Sequence, residues 1–195
     1  LDVLLVATAN PEDYTNRGRI ITPLKDRYGA QVRTHYPRTA VEEMQIMEQE
    51  RKPLSVPGLS LRVPEYMKEI IAQITRCARQ SPQVDQRSGV SVRMSIANYE
   101  TLISSAARRA IRLHEPEAVP RICDLAATLT SLRGKLELDA MENQGEDALF
   151  ADLVKQAVRI VFDSYLRTDG LADFVARLGE KRGIEVSDMT PAEDY

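Results

Sequence analysis

The stretch Val92-Arg93-Met94-Ser95-Ile96-Ala97-Asn98-Tyr99-Glu100-Thr101-Leu102-Ile103-Ser104-Ser105-Ala106-Ala107-Arg108-Arg109-Ala110 decides the fold class. Within it Val92, Ile96, Tyr99, Ile103, Ala106 and Ala110 recur at spacings of four and three. That period lays a single apolar stripe along one long α-helix. Working outward, Pro64 suits the first turn of a helix whose inward face would be Tyr66, Ile70, Ile74 and Cys77. On the other side, Ile122, Leu125, Leu129 and Leu132 repeat the pattern after Pro120. Leu153, Ala157, Ile160 and Ser164 mark another helix, and Leu171, Phe174 and Leu178 a short one before Gly179. Short connections between such helices predict a compact, mainly α bundle, with core packing as the first role of every stripe.

The first 52 residues read differently. Leu1-Asp2-Val3-Leu4-Leu5-Val6-Ala7-Thr8-Ala9 is apolar on both faces, as central strands of parallel sheets are. Asn10-Pro11 ends it, because proline cannot donate to a ladder. Ile20 to Tyr28 predicts a short helix closed by Gly29, and Ala30 to Tyr36 a second strand stopped by Pro37. Thr39 is placed to cap a helix from Ala40 to Lys52. Three prolines and Gly58 make Pro53 to Pro64 a linker. A strand apolar on both faces needs neighbouring strands and covering helices, so the expectation is a fragment of a longer protein.

Composition narrows the function classes. The chain has 195 residues, a formal net charge of −3 and 43% hydrophobic residues, enough for one full core or two small ones. No run approaches the roughly 20 apolar residues of a membrane span. Charges of both signs are interspersed, which argues against a nucleic-acid or membrane surface. Cys77 and Cys123 lack CxxC spacing and are expected as reduced core thiols of a cytoplasmic protein. The only histidines, His35 and His114, have no ligand cluster beside them, so no metal site is expected. No G-x-S-x-G or Cys/His signature occurs. Glu146, Asp147 and Asp152 form an acidic helix start that complements the helix dipole.

Three residues stand where phosphate chemistry could use them. Asn10 lies at the carboxyl end of the first expected strand, where open α/β sheets bind ligands. Arg27 sits in Asp26-Arg27-Tyr28-Gly29, with Arg17 and Arg19 competing for the same anion-binding role. Arg93 falls in the first turn of the long helix, and its fork of donors suits phosphate oxygens at a helix N-terminus.

The order of these pieces resembles AAA+ ATPases, most of all the ATPase (I) subunit of magnesium chelatase and its MoxR-like relatives. Ala7 to Asp13 is similar to the family's sensor-1 strand. Asp26 to Gly29 is similar to its D-R-F-G element, and Gly89 to Ser95 to the sensor-2 segment that opens a lid helix. The resemblance covers the chain to about residue 140 and weakens beyond it. It implies that residues 1–52 are the C-terminal remnant of an α/β AAA+ core and 53–63 a linker. Residues 64–145 would be a helical lid, and 146–195 additional C-terminal helices. It also implies that Asn10 positions the attacking water, that Arg27 is the finger reaching the neighbouring subunit's γ-phosphate, and that Arg93 contacts its own subunit's nucleotide. The implied cofactors are ATP and Mg²⁺, and the implied assembly is a ring, a hexamer, working on a partner with a von Willebrand A-type domain. The work could be insertion of Mg²⁺ into a porphyrin. A MoxR-type chaperone without a chelatase role, or a non-catalytic helical interaction module, is the alternative. The sequence departs from the family in lacking a G-x-x-x-x-G-K-[ST] phosphate loop and paired Mg²⁺ carboxylates. In the family both lie ahead of sensor 1. Arg17-Gly18-Arg19 is longer and more basic than that loop usually is, which keeps Arg19 open as the finger.

Overall fold

The computed structural model describes residues 3–8, 23, 26–85, 89–137, 145–166, 171, 175–176, 187 and 190–191. The chain divides into two compact units, residues 1–36 and 37–195. In the first unit, residues 3–8 join no ladder and Val3 to Val6 are exposed, Leu4 to 90%. Ala30 to Tyr36 forms no ladder either. The two strands expected there are therefore not formed among the described residues. Apolar or β-prone sequence does not hold a strand by itself, because the ladder partners do. The helix expected at 20–28 lies mostly outside the described residues, with Asp26 and Arg27 in a turn.

The second unit is helical. Helix α1 spans Ala40–Glu50, and the Thr39 hydroxyl accepts from the Glu42 amide at 3.1 Å, the cap its sequence predicts. Helix α2 spans Glu65–Gln80 behind Pro64. Its buried face is Met67, Ile70, Ile71, Ile74, Cys77 and Ala78. Tyr66, expected inward, is instead 39% exposed and meets Tyr165 edge to face at 6.4 Å. Methionine and isoleucine at 67 and 71 extend the stripe to the other side and turn the tyrosine out. The long helix α3 spans Val92–Leu113. It ends at His114, whose φ of 56° is left-handed and whose amide donates to Ile111.

After α3, Glu117–Ala118 (β2) pairs in parallel with Ser60–Leu61 (β1), the described sheet. A 3₁₀ helix at Ile122–Thr128 runs into a short helix α4, Leu129–Arg133. Helix α5, Glu146–Tyr165, buries Leu149, Phe150, Leu153, Ala157 and Val161, and packs most extensively on α2. The main core joins α1, α2, α3, α4 and α5 around Met47, Met67, Ile71, Tyr99, Leu132 and Phe150. The helix expected at 171–178 lies outside the described residues except for Leu171, Val175 and Ala176.

Two features of this unit differ from the expected domain layout. Helix α1, grouped from sequence with residues 1–52, packs against α2 and α3. The expected linker 53–63 is packed as well, with Leu54, Leu59 and Leu61 against Ala107, Ala110 and Ala118. Pro57 and Gly58 form an exposed turn, while the leucines on either side anchor the segment. No described helix is long and apolar enough to cross a membrane.

Candidate functional site

Arg93 is exposed in the first turn of α3. The Ser91 hydroxyl accepts from the Arg93 amide at 3.2 Å, and the Ser91 carbonyl from the Met94 amide at 2.9 Å. Gly89, at φ 66°, supplies the left-handed turn that leads into this cap. The first turn carries no carboxylate. A cation at the positive end of a helix dipole is unfavourable for the helix itself, and the pairing makes the local potential attractive to anions.

Beneath that turn lies a buried polar cluster drawn from three helices. Glu43 of α1 is fully buried. Its Oε2 accepts from Arg79 Nη1 at 2.7 Å, and its Oε1 from Arg79 Nη2 at 3.1 Å. The same Oε1 accepts from the Ser95 hydroxyl at 2.5 Å, and Ser95 Oγ also lies 2.6 Å from Thr75 Oγ1. A hydroxyl has one proton, so Thr75 donates in that second contact. Arg79 Nε donates to the Val90 carbonyl at 3.0 Å. The start of α3 is thus held on both sides of Arg93, at Val90 and at Ser95.

A second network lies along α1. Tyr99 is fully buried, and its hydroxyl donates to Glu48 at 2.5 Å. Arg51 and Lys68 reach the same carboxylate at 2.8 and 3.1 Å. Burial would raise the Glu48 carboxyl, but hydrogen bonds from Tyr99, Arg51 and Lys68 outweigh it and lower its pKa to about 2. Burial, then the hydrogen bond to Glu48 and its charge, pushes the Tyr99 phenol above its ordinary value. A third pair, Arg109 and Asp124, ties α3 to the 3₁₀ helix, with Arg109 also donating to the Val119 carbonyl at 2.6 Å. Asp124 further accepts from the Arg121 amide at 2.8 Å, and Arg121 Nη1 donates to the Thr190 carbonyl at 2.7 Å.

Between the 3₁₀ helix, α4 and α5 is a groove of about 650 Å³ lined by Leu125, Leu129, Val154, Val158 and Phe162, with Lys155 and Arg159 also on its wall. Its surface is apolar and offers packing rather than proton transfer. Cys77 is buried, which raises its thiol pKa, and Cys123 is half-buried. Among the described residues no three carboxylate, thiol or imidazole side chains converge as metal ligands would.

Of the residues singled out in the sequence, Arg93 stands at a defined helix start and Arg27 is exposed in a turn of the other unit. Asn10, Arg17 and Arg19 lie outside the described residues. Sequence reading passed over Glu43, Thr75, Arg79 and Ser95. A signal was present: Glu43 lies four residues before Met47 on the buried face of α1, and Thr75 and Arg79 continue the face begun by Ile71. A charge on an apolar stripe asks for a buried partner. Comparison with known proteins finds no matching family model, curated protein or solved structure.

Proposed function

We propose that this chain is the C-terminal portion of an AAA+ ATPase subunit resembling the ATPase subunit of magnesium chelatase. In this reading it works in a ring, a hexamer, and couples hydrolysis of Mg²⁺-ATP to remodelling of a partner with a von Willebrand A-type domain. Insertion of Mg²⁺ into a porphyrin is the candidate output. The reading rests on the order of the three motif-like segments, and the observation that carries it is Arg93, exposed at the capped, carboxylate-free start of α3. Arg93 would bind phosphate oxygens of its own subunit's nucleotide, with the first-turn amides adding partial positive charge. Arg27 would neutralise charge developing on the transferred phosphoryl group at the neighbouring site, and Asn10 would orient the attacking water. The phosphate loop and the Mg²⁺ carboxylates would come from sequence ahead of Leu1.

The test compares three proteins by calorimetry and steady-state turnover. These are the 195-residue chain, the polypeptide that carries the phosphate loop, and its Arg93→Ala variant. The longer polypeptide should bind and hydrolyse ATP, and Arg93→Ala should weaken binding and lower turnover. The 195-residue chain should do neither at a useful level. Tight ATP binding by the 195-residue chain, or an Arg93→Ala variant that behaves as wild type, overturns the proposal.

A further inference from the structure

We infer that Glu43, Arg79 and Ser95 are positioning residues for Arg93, a clamp that fixes the first turn of α3 to α1 and α2 and so sets where the Arg93 guanidinium reaches a nucleotide phosphate. The inference rests on the ATPase reading. Its physical basis is the cluster itself. The Glu43 carboxylate is fully out of water, and the Arg79 side chain is only 12% exposed. Burying such a pair gains little stability compared with apolar side chains of the same volume. What the pair does supply is geometry. Arg79 is a planar fork with two fingers on one carboxylate, and its third nitrogen holds the Val90 carbonyl. The Oε1 that accepts from Arg79 Nη2 also accepts from Ser95, two residues beyond Arg93.

Three consequences follow from this arrangement. The turn that carries Arg93 cannot rotate or slide along α2 without breaking charge-assisted bonds in a dry site. Arg79 is neutralised by Glu43, and among the described residues Arg93 is the exposed cation in the first turn of α3. Arg76 Nη1 also donates to the Arg38 carbonyl at 2.9 Å, so the strand of chain entering α1 is held to the same helix α2. A shift of α1 is therefore passed to the start of α3 through Glu43.

The test has two arms. In the 195-residue chain, amide hydrogen exchange is followed in Ser95→Ala, which leaves the buried Glu43–Arg79 ion pair in place. Exchange at residues 92–96 should quicken about tenfold, the equivalent of one lost charge-assisted hydrogen bond, while residues 102–110 stay unchanged. In the polypeptide that carries the phosphate loop, Ser95→Ala should weaken ATP binding in the same direction as Arg93→Ala. The double variant should be no weaker than Arg93→Ala, because both changes act through one side chain. Exchange that quickens throughout α3, or nowhere, overturns the clamp, and so do additive losses in the double variant. An Arg93→Ala variant with unchanged ATP affinity overturns the ATPase reading and this inference with it. A localised exchange change in the 195-residue Ser95→Ala chain would then distinguish failure of the nucleotide role from failure of the clamp.

Discussion

Glu43 and Glu48 sit five residues apart on α1 and face different surroundings. Glu43 meets a guanidinium fork and a hydroxyl inside the core, whereas Glu48 meets a phenol, a guanidinium and an ammonium at its edge. The Glu48 carboxyl is held at about 2, below its ordinary 4.5, so its interactions favour the folded state. For a depressed carboxylate that contribution is complete above the unfolded pKa and fades as pH falls through the folded one. Urea unfolding of wild type and Glu48→Gln should therefore show a stability difference that is full near neutrality and shrinks between about pH 5 and pH 2. A difference that stays constant across that window would show that the charge of Glu48 does not matter. Arg93 makes the opposite case at the same scale. It sits where a cation weakens its own helix by roughly 0.3–1 kcal/mol, which is why its value is sought in what it binds.

At the scale of elements, two ion pairs of equal length separate burial from proximity. Arg109–Asp124 and Arg133–Asp147 both measure 2.5 Å, but the first pair has side chains 8% and 5% exposed and the second 52% and 67%. Asp124→Asn strands the Arg109 charge between α3 and the 3₁₀ helix, and should destabilise the helical unit by about 3–5 kcal/mol. Asp147→Asn leaves two groups that water already solvates and removes one first-turn carboxylate of α5, so it should cost no more than about 1 kcal/mol. Equal losses in chemical denaturation would contradict this assignment. The elements themselves were legible where one apolar stripe dominated. Helices α1, α2, α3 and α5 fall close to where spacing, Thr39 and Pro64 put them. Less legible was anything that depends on a distant partner. The strands expected at Leu1–Ala9 and Ala30–Tyr36 have strand-like composition and no ladder among the described residues. The parallel pair that does form joins residues 60–61 to 117–118, two residues each, too short to leave a pattern. Leu54, Leu59 and Leu61 were hidden among prolines and read as linker. The Arg79–Glu43 pair spans two helices and was visible only as misplaced charge.

For the whole molecule, the helical unit from Pro37 onward is a single bundle with one main core, and it presents Arg93 from a clamped helix start. Arg27 belongs to the other unit, so the division of labour between the two arginines is the central claim and has to be tested in solution. If Arg27 acts on the neighbouring subunit's nucleotide and Arg93 on its own, each residue is needed in a different member of every pair. Arg27→Ala should then lower kcat far more than it weakens nucleotide binding, because a finger acts mainly in the transition state. Removing such a finger is worth roughly 10³ to 10⁵ in rate in well-studied NTPases. The most direct measurement mixes Arg27→Ala and Arg93→Ala forms of the polypeptide that carries the phosphate loop, each inactive by itself, with subunit exchange verified. Where an intact finger faces a site with an intact Arg93, a complete composite site re-forms, and part of the ATPase activity should return. Confirmed mixing with no recovery at any ratio would contradict the account and move the finger from Arg27 to Arg19.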